Sequence, residues 1–374
     1  MPVQKNQHYV PQFYQKLFSA DGITIGVYLP EKRLKIDSAS IKSQASEDYL
    51  YTQHTDRTNN TETVLGQVEG KAKLVIELLL QDIPAELTNE QNYALYVFIL
   101  LQIGRTLAHM EVVQAAADKM LKQLLRTNKQ YYDKIGDKSL ANVTEETIEN
   151  LALKFPNLGA FSLLSYSYMI PTCIDLLDSY KILVNRTKVA FTSSDNPVSL
   201  YNMFLEKVNH NGAGVGCRGI MFYLPLSPER AVLFYDTKVY KCGRDRHKTV
   251  EILDERDVFE LNKLTAVNSR ELFFYNPNKT KLAELERMAA QKGRFELKDK
   301  VVDIAGIEKN SGNVIIGTHQ AGNSCKLNLS FMRYMPAYRL KTAKTFNPKT
   351  DLYREIAYYK DELEKEFFKN TKKT

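Results

Sequence analysis

The sequence predicts an α+β fold, in which a helical first half packs on a mainly antiparallel sheet formed by the second half. Before about residue 180, apolar residues recur at helical spacing, whereas short β-branched and aromatic runs separated by turns dominate afterwards. An early hairpin is also expected to join the later sheet. We expect four regions along the chain, which are an N-terminal motif and hairpin (1–55), a helical region (56–180), a β-rich region (181–340), and a C-terminal helix with a basic tail (341–374).

The first half is expected to begin with a hairpin and to continue as helices. Residues 23–37 form two strand-like runs around a Pro-Glu-Lys-Arg turn, and apolar residues between 64 and 79 share one helical face. Thr88 begins the next helix, because Gln91 stands at the position of a capping-box partner. The apolar pattern predicts that this helix continues to about Arg126.

The second half is expected to be mostly strands. Residues 144–180 still favour helix, interrupted near Pro156. The strands predicted beyond them are 182–184, 189–191, 220–224, 231–235 and 272–275, and helices are predicted at 254–269 and 351–368.

Composition and charge limit the compartment and the partners. The N-terminus lacks the apolar run of a signal peptide, and the longest apolar run, Tyr93 to Leu101, is shorter than the roughly 20 residues that cross a bilayer. The four cysteines are scattered, which favours a reduced cytoplasm and no membrane. A net charge of +7 permits a nucleic-acid or nucleotide partner. The Lys/Glu-rich segment 351–368 leaves a protein partner or a homo-oligomer open, although such helices are more often solvated edges.

Two short motifs point to chemistry that their context does not support. Residues 214–219 match the dinucleotide fingerprint, but no strand precedes them and a β-like run follows, so we expect no NAD site. Glu296-Leu297-Lys298 has the Glu-x-Lys form of metal-dependent nucleases, yet so short a pattern arises easily by chance.

Three polar residues follow the most apolar stretch of the chain. Gln102, Arg105 and His109 lie at helical spacing and project from roughly one face. A buried arginine must pair with a carboxylate or bind an anion. Burial statistics favour a structural bridge over an anion clamp, and the sequence leaves both open.

Two further segments carry candidate groups for a site. Asp195 and Asn196 follow a predicted strand, where they either cap a turn or present a carboxylate and an amide at the edge of the sheet. His8 stands in an aromatic segment. A lone histidine is usually structural, but it is the side chain best suited to proton transfer near neutral pH.

Together these segments resemble one family. The run Gln7-His8-Tyr9-Val10-Pro11-Gln12-Phe13-Tyr14 and the run Thr192-Ser193-Ser194-Asp195-Asn196-Pro197 are similar to the His-Tyr-Val-Pro and Thr-Ser-Asp-Asn-Pro motifs of the bacterial domain-of-unknown-function family 4238. The resemblance covers about residues 7–275, and the family brings no settled activity. It implies that His8, Arg105, Asp195 and Asn196 belong to one shared site.

Two functions of different classes remain open. The first is a hydrolase acting on a phosphate-containing substrate, in its narrowest form a nuclease of a toxin or phage-defence system. His8 would then be the general acid or base, and Arg105 with Gln102 would hold the substrate. Asp195 would orient His8 or bind Mg²⁺ or Mn²⁺ with Glu69, while Asn196 would donate to developing negative charge. The second is a non-catalytic binding or sensor module, in which the same residues form a structural network.

Overall fold

The structure is a computed structural model, and its helices and strands are bounded as follows. It describes residues 5–51, 60–136, 138–152, 157–167, 169–171, 176, 179–206, 215, 217–244, 248–295, 301–307, 314–320 and 325–339. The described helices are α1 Gln12–Gln15, α2 Asn60–Leu79, α3 Asn89–Gly104, α4 Leu107–Lys134, α5 Glu145–Asn150, α6 Leu158–Ser167, α7 Glu255–Asn268, α8 Leu282–Phe295 and α9 Pro336–Arg339. The described strands are β1 Asn6–His8, β2 Thr24–Leu29, β3 Leu34–Ser40, β4 Ser46–Asp48, β5 Tyr180–Asn185, β6 Ser193–Ser194, β7 Ser199–Tyr201, β8 Met221–Ser227, β9 Arg230–Tyr235, β10 Tyr240–Cys242, β11 Thr249–Ile252, β12 Phe273–Tyr275, β13 Val301–Ile307, β14 Val314–Gln320 and β15 Met332–Tyr334.

The fold is mixed α+β, as the sequence predicted. Helices α2 to α6 occupy the first half of the chain, and two larger sheets organise the rest. One sheet has the order β11-β5-β9-β8-β7, in which the β11–β5 pair is parallel and the other pairs are antiparallel. The other has the order β3-β2-β12-β6 and is antiparallel. The prediction that the N-terminal hairpin joins the later sheet is therefore confirmed.

The five-stranded sheet has buried residues on both faces. On one face, Ile182 and Phe234 belong to the same buried apolar cluster as Tyr96 and Ile99 of α3. This packing of helices on the sheet explains why α3 is apolar nearly all round. On the other face, the sheet packs in a second cluster that includes Leu261 of α7.

The helix predicted to run from Thr88 to about Arg126 is two helices. The capping box of Thr88 and Gln91 is present, but α3 ends at Gly104 and α4 begins at Leu107, with a bend of 60° between them. The Thr106 side chain caps the first turn of α4 by accepting the His109 main-chain N–H at 3.3 Å. Periodicity missed this break because the apolar pattern continues through it. In the described part of the chain, no single helix is long and apolar enough to cross a membrane, and α3 with α4 pass that test only as a bent pair.

Other expectations on elements meet mixed outcomes. The pair 220–224 with 231–235 and the helix at 254–269 are confirmed as β8–β9 and α7. The prediction of a strand at 189–191 is wrong, because the Asn185 amide donates to the Val189 carbonyl at 2.6 Å and closes that segment into a loop. The helical prediction also extends too far, since residue 180 already begins β5. The segments 296–298 and 351–368 lie outside the described residues.

Candidate functional site

The N-terminal motif runs through the interior of the protein. Strand β1 ends at His8 and pairs with β4, and Val10 is fully buried. Two residues of α1 tie the motif down further. The Tyr14 hydroxyl donates to the Pro225 carbonyl at 2.6 Å, and Gln15 Nε2 donates to the Val10 carbonyl at 2.8 Å. The motif is thus carried into the core by its aromatic and amide neighbours.

Residues at the end of α3 hold the main chain of this motif. The Arg105 guanidinium donates to the His8 carbonyl, and Gln102 Nε2 donates to the Tyr9 carbonyl at 2.8 Å. Arg105 Nη1 also lies 2.6 Å from Glu69 Oε1, with the arginine side chain 4% exposed and the glutamate 26% exposed. The structure therefore contains the buried arginine–carboxylate bridge that was one of the two interpretations of Arg105.

The His8 ring points into a buried environment. Its Nε2 is buried and, among the described residues, has no hydrogen-bond partner. Burial lowers the pKa of His8, the carbonyl groups of Ile41 and Lys42 oppose this effect, and the Arg105 charge reinforces it. The ring is consequently neutral at pH 7, and its contact with Arg105 runs through the His8 carbonyl.

Asp195 uses both carboxylate oxygens to bind main-chain N–H groups. Oδ1 accepts from Arg270 at 2.8 Å, and Oδ2 accepts from Glu271 at 2.7 Å and from Leu272 at 3.2 Å. Burial raises the pKa of Asp195, although these three N–H groups pull it down in part. The carboxylate thus fixes the turn between α7 and β12.

Asn196 joins the α3–α4 junction to the end of α7. Its Nδ2 donates to the Asn268 carbonyl at 2.9 Å, and the Asn268 amide returns a bond of 2.9 Å to the Asn196 carbonyl. The Thr106 hydroxyl donates to Asn196 Oδ1 at 3.3 Å. Because Thr106 follows Arg105 directly, hydrogen bonds and chain neighbours link the predicted site residues in one region. We call this set the motif cluster, and its members are His8, Gln102, Arg105, Asp195 and Asn196.

Sequence reasoning missed two tyrosines that complete the motif cluster. The Tyr51 hydroxyl donates to the Arg105 carbonyl at 2.9 Å, while its main-chain N–H donates to Gln7 Oε1 at 2.7 Å. The pKa of Tyr9 is raised, chiefly by burial and next by the nearby charge of Asp195. Tyr9 stands inside the quoted motif and could have been chosen, whereas no local pattern marks Tyr51.

The metal candidates have other partners. Within the described ranges, no three His, Cys, Asp or Glu side chains lie together as a metal site. Asp195 directs its oxygens at N–H groups, and Glu69 Oε1 binds Arg105. Carboxylate lone pairs used in this way are less available to a cation.

An open groove of about 1290 Å³ adjoins the motif cluster. Glu47 and Asp48 belong to β4, the partner strand of β1, and Arg270 donates its main-chain N–H to Asp195. The groove is lined by Glu47, Asp48, Tyr49, Leu50, Leu107, Met110, Glu111, Gln114, Ala115, Asp118, Lys122, Glu149, Asn150, Leu151, Ala152, Asn157, Leu158, Gly159 and Arg270. Five of these residues are carboxylates and two are cationic, so the lining is acidic although the whole chain has a net charge of +7.

Comparison with known families identifies the chain. Residues 6–279 match the family described as "protein of unknown function (DUF4238)", which is more than half of the sequence. The chain belongs to the DUF4238 family. No curated protein and no solved structure matches it. The DUF4238 match contains the whole motif cluster and the residues that line the groove, and it ends soon after β12.

A glycine of the DUF4238 region allows a close backbone approach at the groove. A Cβ at Gly159 would lie 2.0 Å from the Leu50 carbonyl oxygen. We expect Gly159→Ala to destabilise the protein by about 2 kcal/mol in urea unfolding, because main-chain atoms must move. Gly70→Ala in α2 is the matched control, since nothing lies within 4 Å of its Cβ, and it should stabilise by about 1 kcal/mol. Equal stabilisation by both alanines would contradict the close approach.

A partly buried histidine should make this DUF4238 protein sensitive to acid. Burial lowers the pKa of His109 to about 4, while its ring Nε2 lies 3.5 Å from Ser165 Oγ. Between about pH 6.5 and 4 the unfolded chain binds a proton that the folded chain does not, so stability falls as pH falls. From pH 7.5 to pH 5, wild type should lose about 1–2 kcal/mol more than His109→Gln in urea unfolding. Parallel pH profiles would show that His109 does not contribute.

Proposed function

We propose that this chain is a non-catalytic binding protein, in which the motif cluster is a structural network and the adjoining groove takes the ligand. One observation carries the proposal, namely that the charged groups of the cluster are spent on internal partners. Both oxygens of Asp195 accept main-chain N–H groups, and the Arg105 fork is divided between Glu69 and the His8 carbonyl. Groups bound in this way position the backbone rather than a substrate.

Size and charge suggest what the groove binds. Pockets for small molecules usually measure about 300–1,000 Å³, so about 1290 Å³ leaves room for a segment of polypeptide. The excess of carboxylates favours a cationic ligand and works against a polyanion such as nucleic acid. A basic peptide is therefore the ligand class that fits the groove.

Binding of a labelled decalysine peptide, measured by fluorescence anisotropy, tests the ligand class. We expect decalysine to bind more tightly than a labelled decaglutamate peptide, with an affinity that falls as salt screens the charges. The double substitution Glu47→Gln/Glu111→Gln should weaken decalysine binding several-fold. Glu31→Gln, an exposed carboxylate on the β2–β3 turn, is the matched control and should leave it unchanged. Equal binding of both peptides would contradict the proposal.

A hydrolase is the second candidate, and a specific observation favours it. Three buried polar atoms of the motif cluster, His8 Nε2, Gln102 Oε1 and Arg105 Nε, have no hydrogen-bond partner among the described residues. Unsatisfied buried groups are uncommon and sometimes mark functional sites. Such atoms would suit a small polar group of a substrate that reaches the cluster.

Turnover assays separate the two candidates. Purified protein would be incubated with DNA, RNA and nucleotides, with and without Mg²⁺ or Mn²⁺. The binding proposal expects no turnover of any of them. Turnover that His8→Ala abolishes, with an unchanged thermal unfolding midpoint, would replace the binding proposal by the hydrolase.

A further inference from the structure

Helix α4 carries an apolar stripe that faces solvent. Met120, Leu124, Tyr131 and Ile135 are 43%, 40%, 60% and 57% exposed. At 3.6 residues per turn these four residues fall within an arc of about 60°, so they form one continuous surface. We call this surface the α4 stripe. Exposed apolar residues that line up in this way are typical of interaction surfaces.

The α4 stripe is separate from the groove and from the contacts of α5. The groove is lined by Asp118 and Lys122, which lie on nearly the opposite side of α4 by helical spacing. Arg126 binds Glu145 and Glu149 of α5 on that same opposite side. The stripe therefore needs an occupant of its own, and this inference does not rest on the proposed function.

The C-terminal part of the sequence contains a complementary apolar pattern. Leu352, Ile356, Tyr359, Leu363 and Phe367 follow one another in steps of four, three, four and four residues. This spacing places them on one face of an amphipathic helix. Two helices with such faces can bury them against each other along their length.

Charge complements the apolar match. Residues 119–134 of α4 include five basic residues and one acidic residue, a net charge of +4. Residues 351–368 include six acidic and three basic residues, a net charge of −3. Opposite charges beside an apolar seam favour the pairing of two helices and select the partner.

We propose that residues 351–368 dock as a helix along the α4 stripe of the same chain. Arg339 is the last described residue, and the eleven residues 340–350 that precede the segment can span up to about 40 Å. Because segment and stripe belong to one chain, the effective concentration is high and a small apolar seam suffices for docking.

Hydrogen–deuterium exchange on the full-length protein tests the docking. We expect amides of 351–368 to exchange at least tenfold more slowly than in an unstructured peptide. Leu124→Ser/Tyr131→Ser on α4 should remove that protection, and Ile356→Ser/Leu363→Ser in the segment should expose amides of 119–135. The matched control is Leu74→Ser/Ile83→Ser, which changes two apolar residues that are 64% and 87% exposed outside the stripe, and it should alter neither.

Two results would overturn the proposal. One is exchange of residues 351–368 at the rate of an unstructured peptide in the wild type, or protection that survives the α4 substitutions. The other is protection that appears only at concentrations where sedimentation shows a dimer, because the segment would then dock on a second copy. Unchanged midpoints of thermal unfolding in the α4 variant establish that a loss of protection reflects the stripe and not the fold.

Discussion

Replacing Arg105 by leucine is expected to lower the free energy of unfolding by about 3 kcal/mol. The Arg105 side chain is 4% exposed and binds Glu69 and the His8 carbonyl. Leucine would leave the Glu69 carboxylate without its partner and the carbonyl without its donor, and both deficits fall on the folded state. Because Glu69 is 26% exposed and gains some hydration, the loss should lie at the lower end of the range for broken buried pairs. Urea unfolding followed by far-UV circular dichroism measures it.

Two variants show whether this loss belongs to burial. Arg126→Leu is the matched control, because Arg126 also binds two carboxylates, Glu145 and Glu149, but at the surface. It should cost at most about 1 kcal/mol. Arg105→Lys should fall between the two leucine variants, since an ammonium keeps the charge but cannot reproduce the planar fork of donors. If Arg105→Leu were as stable as wild type and only a binding or catalytic activity disappeared, the structural role of Arg105 would be refuted.

Replacing Asp195 by alanine is expected to cost about 3 kcal/mol as well. The carboxylate accepts N–H groups from Arg270, Glu271 and Leu272, and alanine would leave all three without an acceptor in the interior. Each orphaned donor costs about 1–3 kcal/mol, but removing a buried carboxylate also returns the energy spent on its desolvation, which is the cause of its raised pKa. Asp195→Asn should lose roughly half as much, because its amide retains one acceptor oxygen.

An exposed aspartate provides the comparison for Asp195. Asp21 accepts the main-chain N–H groups of Ile23 at 2.8 Å and Thr24 at 2.7 Å at an exposed turn. Asp21→Ala should be less destabilising, because water replaces the carboxylate there. If both alanine variants lost the same stability, burial would not be the reason for the effect at Asp195.

Local patterns explain the parts of the fold that the sequence predicted. The Thr88–Gln91 capping box and the β8–β9 hairpin depend on residues that are near neighbours in the chain, so propensity and turn chemistry are sufficient to find them. The strand predicted at 189–191 failed for the same reason. Its apolar residues suit a strand, but the Asn185 side chain and the pairing of β5 with β9 leave the segment without a ladder.

The candidate site was predicted as a set of residues and not as a geometry. Family resemblance grouped His8, Arg105, Asp195 and Asn196, and the structure joins them through main-chain carbonyls, N–H groups and Thr106. No local pattern distinguishes an arginine that binds a phosphate from one that binds a carbonyl group. The choice depends on which atoms the fold brings within hydrogen-bond reach.

The sequence by itself determined the α+β class, the order of most helices and strands, and membership of the DUF4238 family. It could do so because periodicity, caps and motifs are properties of adjacent residues. Only the tertiary structure decided that α3 and α4 bend apart by 60°, and that His8 meets Arg105 across 97 residues of chain. Contacts at that separation depend on the packing of the whole core, which fixes the direction of each side chain.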